Sequence, residues 1–359
     1  MDRTRRTDEI GGRLNVSLQP RESLMHSNQT KKNEGFTIVE VAIVTALLGI
    51  LVMGVMTFFS TQKKNASINS QIVDVQQITR LLGDLLEQDI RHAGLMVPES
   101  AALCAIDRTD APDTLFLSDA GAINTVDEKR HDLAGRIQGG ASNITTGTQV
   151  LTLDTLAIEF TSPDPAYDTN ADGVADSDFR PGSGVIVTDA GNPSRGTACG
   201  TVDSVSPGGS QITITIVSGV LAVLSAGSNV VDLVAVPAHL YEVNGSTQLI
   251  RNGAVVANDV EDLQIAVFLD DNDDRIVDPG EYRGDGVGAN FDPNIEDISS
   301  AREMRANLLV RTRLEDPNNV DGRYQNSENR AAATAGDGFR RRLYTSTVML
   351  RNVGSRMPL

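Results

Sequence analysis

Nineteen consecutive residues, Val41 to Phe59, carry no charge, and the residue directly before them is Glu40. Phe36 to Phe59 is 24 residues, about 36 Å as helix against a hydrocarbon core of about 30 Å, so one pass across a membrane fits. A carboxylate near the bilayer centre costs about 2.5–3.5 kcal/mol, so Glu40 at the head of such a segment needs a compensating partner. Arg3, Arg5, Arg6, Arg13, Arg21, Lys31 and Lys32 precede the run and favour a cytoplasmic amino terminus, while Lys63 and Lys64 on the far side oppose that bias. The alternatives are a secretory signal or a plain anchor. A secretory signal ends in a small-residue cleavage site, and this run continues into Phe58-Phe59-Ser60-Thr61-Gln62-Lys63-Lys64, which fits poorly.

The helical pattern continues beyond the membrane. Ile68, Ile72, Val75, Ile78, Leu82, Leu85, Ile90 and Ala93 recur mostly three or four apart, and Gly94 and Pro98 supply a stop. The spacing predicts one rod of roughly 85 Å. Its first half, 36–59, is membrane-spanning, and its second half, 60–94, is amphipathic and needs a domain to lie on.

That domain is expected at 95–359. Its length suits one large domain or two small ones. No Trp, 4% aromatic residues and 32 Gly in the chain favour a loop-rich β body over a compact enzyme core. Strand-like runs occur at Thr114–Leu117, Gln149–Phe160, Gly184–Val187, Gln211–Val217, Val230–Val236, His239–Val243, Leu249–Ala257, Leu263–Leu269, Ala306–Leu314 and Leu343–Arg351. Within the Leu249–Ala257 run, Arg251-Asn252-Gly253 marks a turn, because Asn-Gly readily adopts positive φ. The expected fold class is therefore α+β, a long N-terminal helix on a mainly antiparallel β ectodomain.

The chain carries a net charge of −17, and −19 beyond Gly35, which argues against nucleic-acid binding. Cys104 and Cys199 are an even pair in an oxidising compartment and read as a disulfide rather than a metal or catalytic site; two buried free thiols are the alternative. His26, His92, His131 and His239 are scattered outside any zinc spacing, and no nucleophile elbow or P-loop occurs, so no enzyme is expected.

Two acidic loops read as calcium sites. In the first, Asp270, Asn272, Asp274 and Asp278 supply alternate side-chain oxygens, Ile276 a carbonyl and Glu281 a twelfth-place carboxylate, although Arg275 stands where Gly normally permits the sharp turn. The second offers Asp168, Asn170, Asp172, Val174, Asp176 and Asp178 and keeps its glycine, but has Phe179 at the twelfth place. A solvated acidic turn is the alternative for both.

Lys31-Lys32-Asn33-Glu34-Gly35 followed by Phe36-Thr37-Ile38-Val39-Glu40 resembles the prepilin motif of type IV pilins and pseudopilins. Three further stretches, Leu86 to Gly94, His239 to Ile265, and Leu343 to Asn352, resemble the PilW-type minor pilins, with type II secretion pseudopilins of the GspJ kind as relatives. The resemblance implies that residues 1–35 are a leader, that a prepilin peptidase cuts between Gly35 and Phe36, and that the new amine of Phe36 is methylated. It implies that Glu40 pairs with a neighbour's terminal amine during assembly. Its expected partners are the peptidase and other major and minor pilins, and its expected location is the inner membrane and then the pilus. The leader is longer than is usual in this family, and a start at Met25 gives an ordinary one. A type II secretion pseudopilin and a calcium-dependent tip adhesin are the alternatives to a minor pilin.

Overall fold

The computed structural model describes residues 35–95, 97–119, 135–136, 144–153, 179–189, 191–206, 211–219, 233–274, 276, 278, 280–316, 318–319 and 322–353. Residues 1–34 of the leader, the 168–178 loop and the end of the Gln149–Phe160 run lie outside them. The chain divides into two compact units, 1–61 and 62–359, and helix α1, Ile38–His92, contributes to both.

In the first unit α1 is exposed throughout and is apolar and long enough to cross a membrane. Its threonines need no outside partner. The hydroxyls of Thr45, Thr57 and Thr61 donate to the carbonyls four residues back, at 2.9, 2.9 and 3.0 Å, which suits a solvent that offers no hydrogen bonds.

In the second unit α1 buries Val75, Thr79, Leu82, Gly83, Leu86, Asp89 and Ile90, a stripe at helical spacing. Gly94, at φ 82°, ends the run, and its N–H donates to the carbonyl of Ser118.

Fourteen strands follow among the described residues. The first ten are β1 Leu103–Ile106, β2 Thr114–Leu117, β3 Gly135–Arg136, β4 Gly147–Thr152, β5 Gly184–Asp189, β6 Thr197–Val205, β7 Gln211–Ser218, β8 Leu233–Val243, β9 Gln248–Arg251 and β10 Ala254–Asn258. They form one sheet in the order β1-β2-β8-β5-β6-β7-β4, with β3 and the β9–β10 hairpin also attached through β8. The last four, β11 Val260–Leu269, β12 Tyr282–Arg283, β13 Ala301–Arg311 and β14 Arg341–Met349, form a second sheet in the order β12-β11-β13-β14. Each pairing in both sheets is antiparallel.

Val230–Val236 and His239–Val243 were expected as separate strands, yet β8 runs unbroken through Pro237. In an antiparallel strand a residue's N and C=O face the same side. The Pro237 carbonyl accepts the Ser118 hydroxyl at 2.7 Å, at a point between the described pairings of β3 and β2, so among the described residues no strand meets the side that lacks the N–H. The Leu249–Ala257 run divides into β9 and β10 at Asn252 and Gly253, whose φ values of 53° and 76° are the left-handed pair of a two-residue hairpin turn.

The main core joins the buried stripe of α1 to both sheets, through residues such as Leu115, Tyr241, Leu263, Leu308 and Val348. Each fully buried aliphatic side chain there contributes roughly 1.5–3 kcal/mol. At one point the packing leaves no room for even a methyl group: a Cβ on Gly83 would collide with the Tyr344 ring. Cys104 on β1 and Cys199 on β6 form a disulfide with 6.2 Å between Cα atoms, both fully buried.

Candidate functional site

The head of α1 places the residues on which the membrane argument turned. Thr37 precedes the helix, and its N–H and hydroxyl both donate to the Glu40 carboxylate at 2.9 Å, while the Glu40 N–H donates to the Thr37 hydroxyl at 3.2 Å. This is a capping box, which satisfies two of the four helix-end donors reciprocally. Glu40 is thus compensated in part by its own helix terminus, which also favours negative charge. Phe36 stands exposed beside it. The signal for the box was present as Thr-x-x-Glu at 37–40, a pattern that the resemblance overshadowed.

At the other end of α1 a polar network holds the helix to the sheets. Asp89, nearly buried, accepts the Tyr241 hydroxyl at 2.5 Å and the Arg251 guanidinium at 2.8 and 3.1 Å. Burial, with Asp89 beside it, pushes the Tyr241 phenol far above its usual range. Glu87 accepts the hydroxyls of Tyr344 and Ser346, which hold its carboxyl below the ordinary range. Asn252 accepts the Leu240 N–H at 2.8 Å, so its amide nitrogen faces His239 Nδ1 at 3.1 Å as a donor. That assignment makes His239 a neutral imidazole whose Nε2 points to Asp119 at 3.7 Å. Burial, then Arg251, lowers its pKa, against the opposing pull of Asp89 and Asp119. The segments quoted for the resemblance, 86–94, 239–265 and 343–352, therefore meet in space. Periodicity gave no hint that Asp89, Tyr241 and Arg251 would form a unit.

The 270–281 loop is described at each of its six expected ligands. Asn272 and Asp274 each accept the backbone N–H two residues on, at 2.9 and 2.8 Å. Glu281 accepts the N–H groups of Asp271 and Asp278 at 3.3 and 3.1 Å and so closes the loop. Arg302 pairs with Asp270 at 3.2 Å and Arg283 with Asp271 at 2.5 Å. Among the described residues no three His, Cys, Asp or Glu side chains form a group that could hold a metal ion. In this conformation Asp270 and Asp271 face arginines, while Asn272, Asp274 and Glu281 accept backbone N–H groups.

Residues 227–352 match the family described as PilW, Type IV Pilus-assembly protein W. The chain carries a PilW domain. The matched span contains β8 to β14 and supplies Tyr241, Arg251, Tyr344 and Ser346, the groups that grip α1. A type IV-like pilin of Thermus thermophilus is similar at 14% identity and a TM-score of 0.22, over 48% of this chain and 86% of that one. So loose a superposition adds nothing to the topology above. No curated protein matches the chain. Proteins of the PilW family are typically structural rather than enzymatic, and a role in type IV pilus assembly follows for this chain.

Proposed function

We propose that this chain is a minor pilin, cut between Gly35 and Phe36 and anchored by residues 36–59, that enters or initiates a type IV pilus by helix packing. The observation that carries the reading is Glu40 at the head of the charge-free run Val41–Phe59 of α1, in a chain with a PilW domain. On entry Glu40 exchanges the Thr37 donors for the terminal amine of a neighbouring subunit, a full opposite charge in place of partial ones. The PilW domain carries the helix by gripping its far end.

Mass spectrometry of the mature amino terminus tests this directly. A methylated Phe36 is expected, and a functioning protein that retains residues 1–35 would overturn the proposal. Calcium at 270–281 is proposed only with Arg302 displaced from Asp270. Calorimetric heat that saturates and disappears in Asp270→Ala supports it, and no heat at millimolar calcium removes it.

A further inference from the structure

The second sheet ends on β14, and its register against β13 is unbroken over nine pairs, from Glu303↔Met349 to Arg311↔Arg341. Just outside the strand, the Thr312 N–H donates to the Arg340 carbonyl and the Leu350 N–H to the Arg302 carbonyl. Hydrogen-bonded pairs alternate in an antiparallel ladder, so even-numbered residues of β14 face β13 with their backbone. The N–H and C=O groups of Leu343, Thr345, Thr347 and Met349 point away from the sheet. Among the described residues, no strand pairs with that side. All four residues are exposed.

Natural edge strands are guarded by charges, prolines, bulges or brevity. From Leu343 to Met349 there is no Asp, Glu, Lys, Arg or Pro, and the register shows no bulge. Such an edge is a template for another strand. Its ends say which one. Arg340 and Arg341 are paired with Asp316, Glu261 and Asp337, whereas Arg342 and Arg351 are exposed and have no ion-pair partner among the described residues. A second copy of β14 would bring arginine against arginine at both ends, in either strand direction.

We propose that the free edge of β14 takes an extended segment of a different pilus subunit, an uncharged β-forming stretch of about seven residues with Asp or Glu at each end. Those acids would lie roughly 26 Å apart at about 3.3 Å per residue, one beside Arg342 within the strand and the other beside Arg351, in the turn that follows Met349. The proposal rests on the pilus-assembly reading for the identity of the partner.

The test uses the full chain in detergent micelles and, as probe, an end-blocked peptide of seven alternating Thr and Val residues flanked by Asp, with a Lys-flanked control. Amide hydrogen exchange at Leu343, Thr345, Thr347 and Met349 is expected to slow at least tenfold with the Asp-flanked peptide. The control should need at least tenfold higher concentration. Thr347→Pro removes one outward N–H without touching the β13 ladder and should abolish the protection, whereas Thr347→Val should keep it. Should Thr347→Pro fail to fold, Thr347→Asp opposes the acidic probe through its side chain and should weaken protection likewise. No slowing at millimolar peptide, or equal protection by both peptides, overturns the proposal. So does a wild-type dimer in sedimentation that Thr347→Pro or Thr347→Asp dissolves, since the edge would then serve a second copy. The measurement contains no pilus, so its failure sinks the edge assignment alone, while an unprocessed amino terminus sinks the pilus reading alone.

Discussion

Replacing Asp89 by Asn keeps the shape of the side chain and removes the charge that Arg251 and Tyr241 converge on. Breaking one partner of a buried ion pair costs about 3–5 kcal/mol. The Arg251 side chain is 25% exposed, so water recovers part of the loss, and about 2–3 kcal/mol is expected. For a body of this size 1 kcal/mol moves Tm by about 2–4 °C, giving a fall of about 5–10 °C. Thermal unfolding of the full chain in detergent, followed by circular dichroism, measures it. The double variant Asp89→Asn with Arg251→Gln removes the stranded cation and should recover at least half of the loss. A fall below about 2 °C for Asp89→Asn, or a double variant as unstable as the two single losses added together, would refute the idea that this pair fastens the helix.

Glu40→Gln keeps an acceptor for the Thr37 N–H but not the charge, while Glu40→Ala loses both. In filament-incorporation assays both should fail if the neighbour's amine matters, and Glu40→Gln should behave as wild type if only the capping box does. Gly83→Ala, which favours an exposed helix by about 1 kcal/mol, should here lower Tm because the added methyl strikes Tyr344. The pH dependence of His239 has a definite sign. Its folded pKa lies below the ordinary 6.5, so its contribution is present above that value and is lost as pH falls through it, by up to about 1.4 kcal/mol per pH unit. Burial pushes Asp113 up to about 8, and that group acts oppositely, weakening the fold as pH rises from about 4 to 8. The two are separated by comparing unfolding curves of wild type and His239→Gln between pH 5 and 8: only the His239 contribution should vanish from the variant.

The rod and the stop at Gly94 were legible because apolar spacing is a local property of α1. So was the hairpin turn at Asn252-Gly253, where positive φ depends on residue type alone. Strands β1 and β6 escaped the reading. Leu-Cys-Ala-Ile is too short to show alternation, and Thr197–Val205 is rich in small residues, among them Gly200, whose missing Cβ lets β7 approach. Pro237 falsely divided β8, because its side without an N–H lies between the described pairings of two distant partner strands. The capping box was readable at 37–40, but the Asp89 network joins residues over 150 positions apart, and only the folded chain brings them together. The 270–281 spacing was equally plain, yet spacing cannot say that Arg302 occupies Asp270.

The bridge between Cys104 and Cys199 bears on how the chain carries mechanical load. Tension arriving along α1 enters the body through the segment leading to Cys104, and the bond spans a separation of 95 residues. With the bond closed, those residues cannot be drawn out, which shields roughly 320 Å of contour length. Pulled along α1, the chain would then yield elsewhere while β2 to β5 stay enclosed, and single-molecule pulling should reveal the extra extension only after reduction.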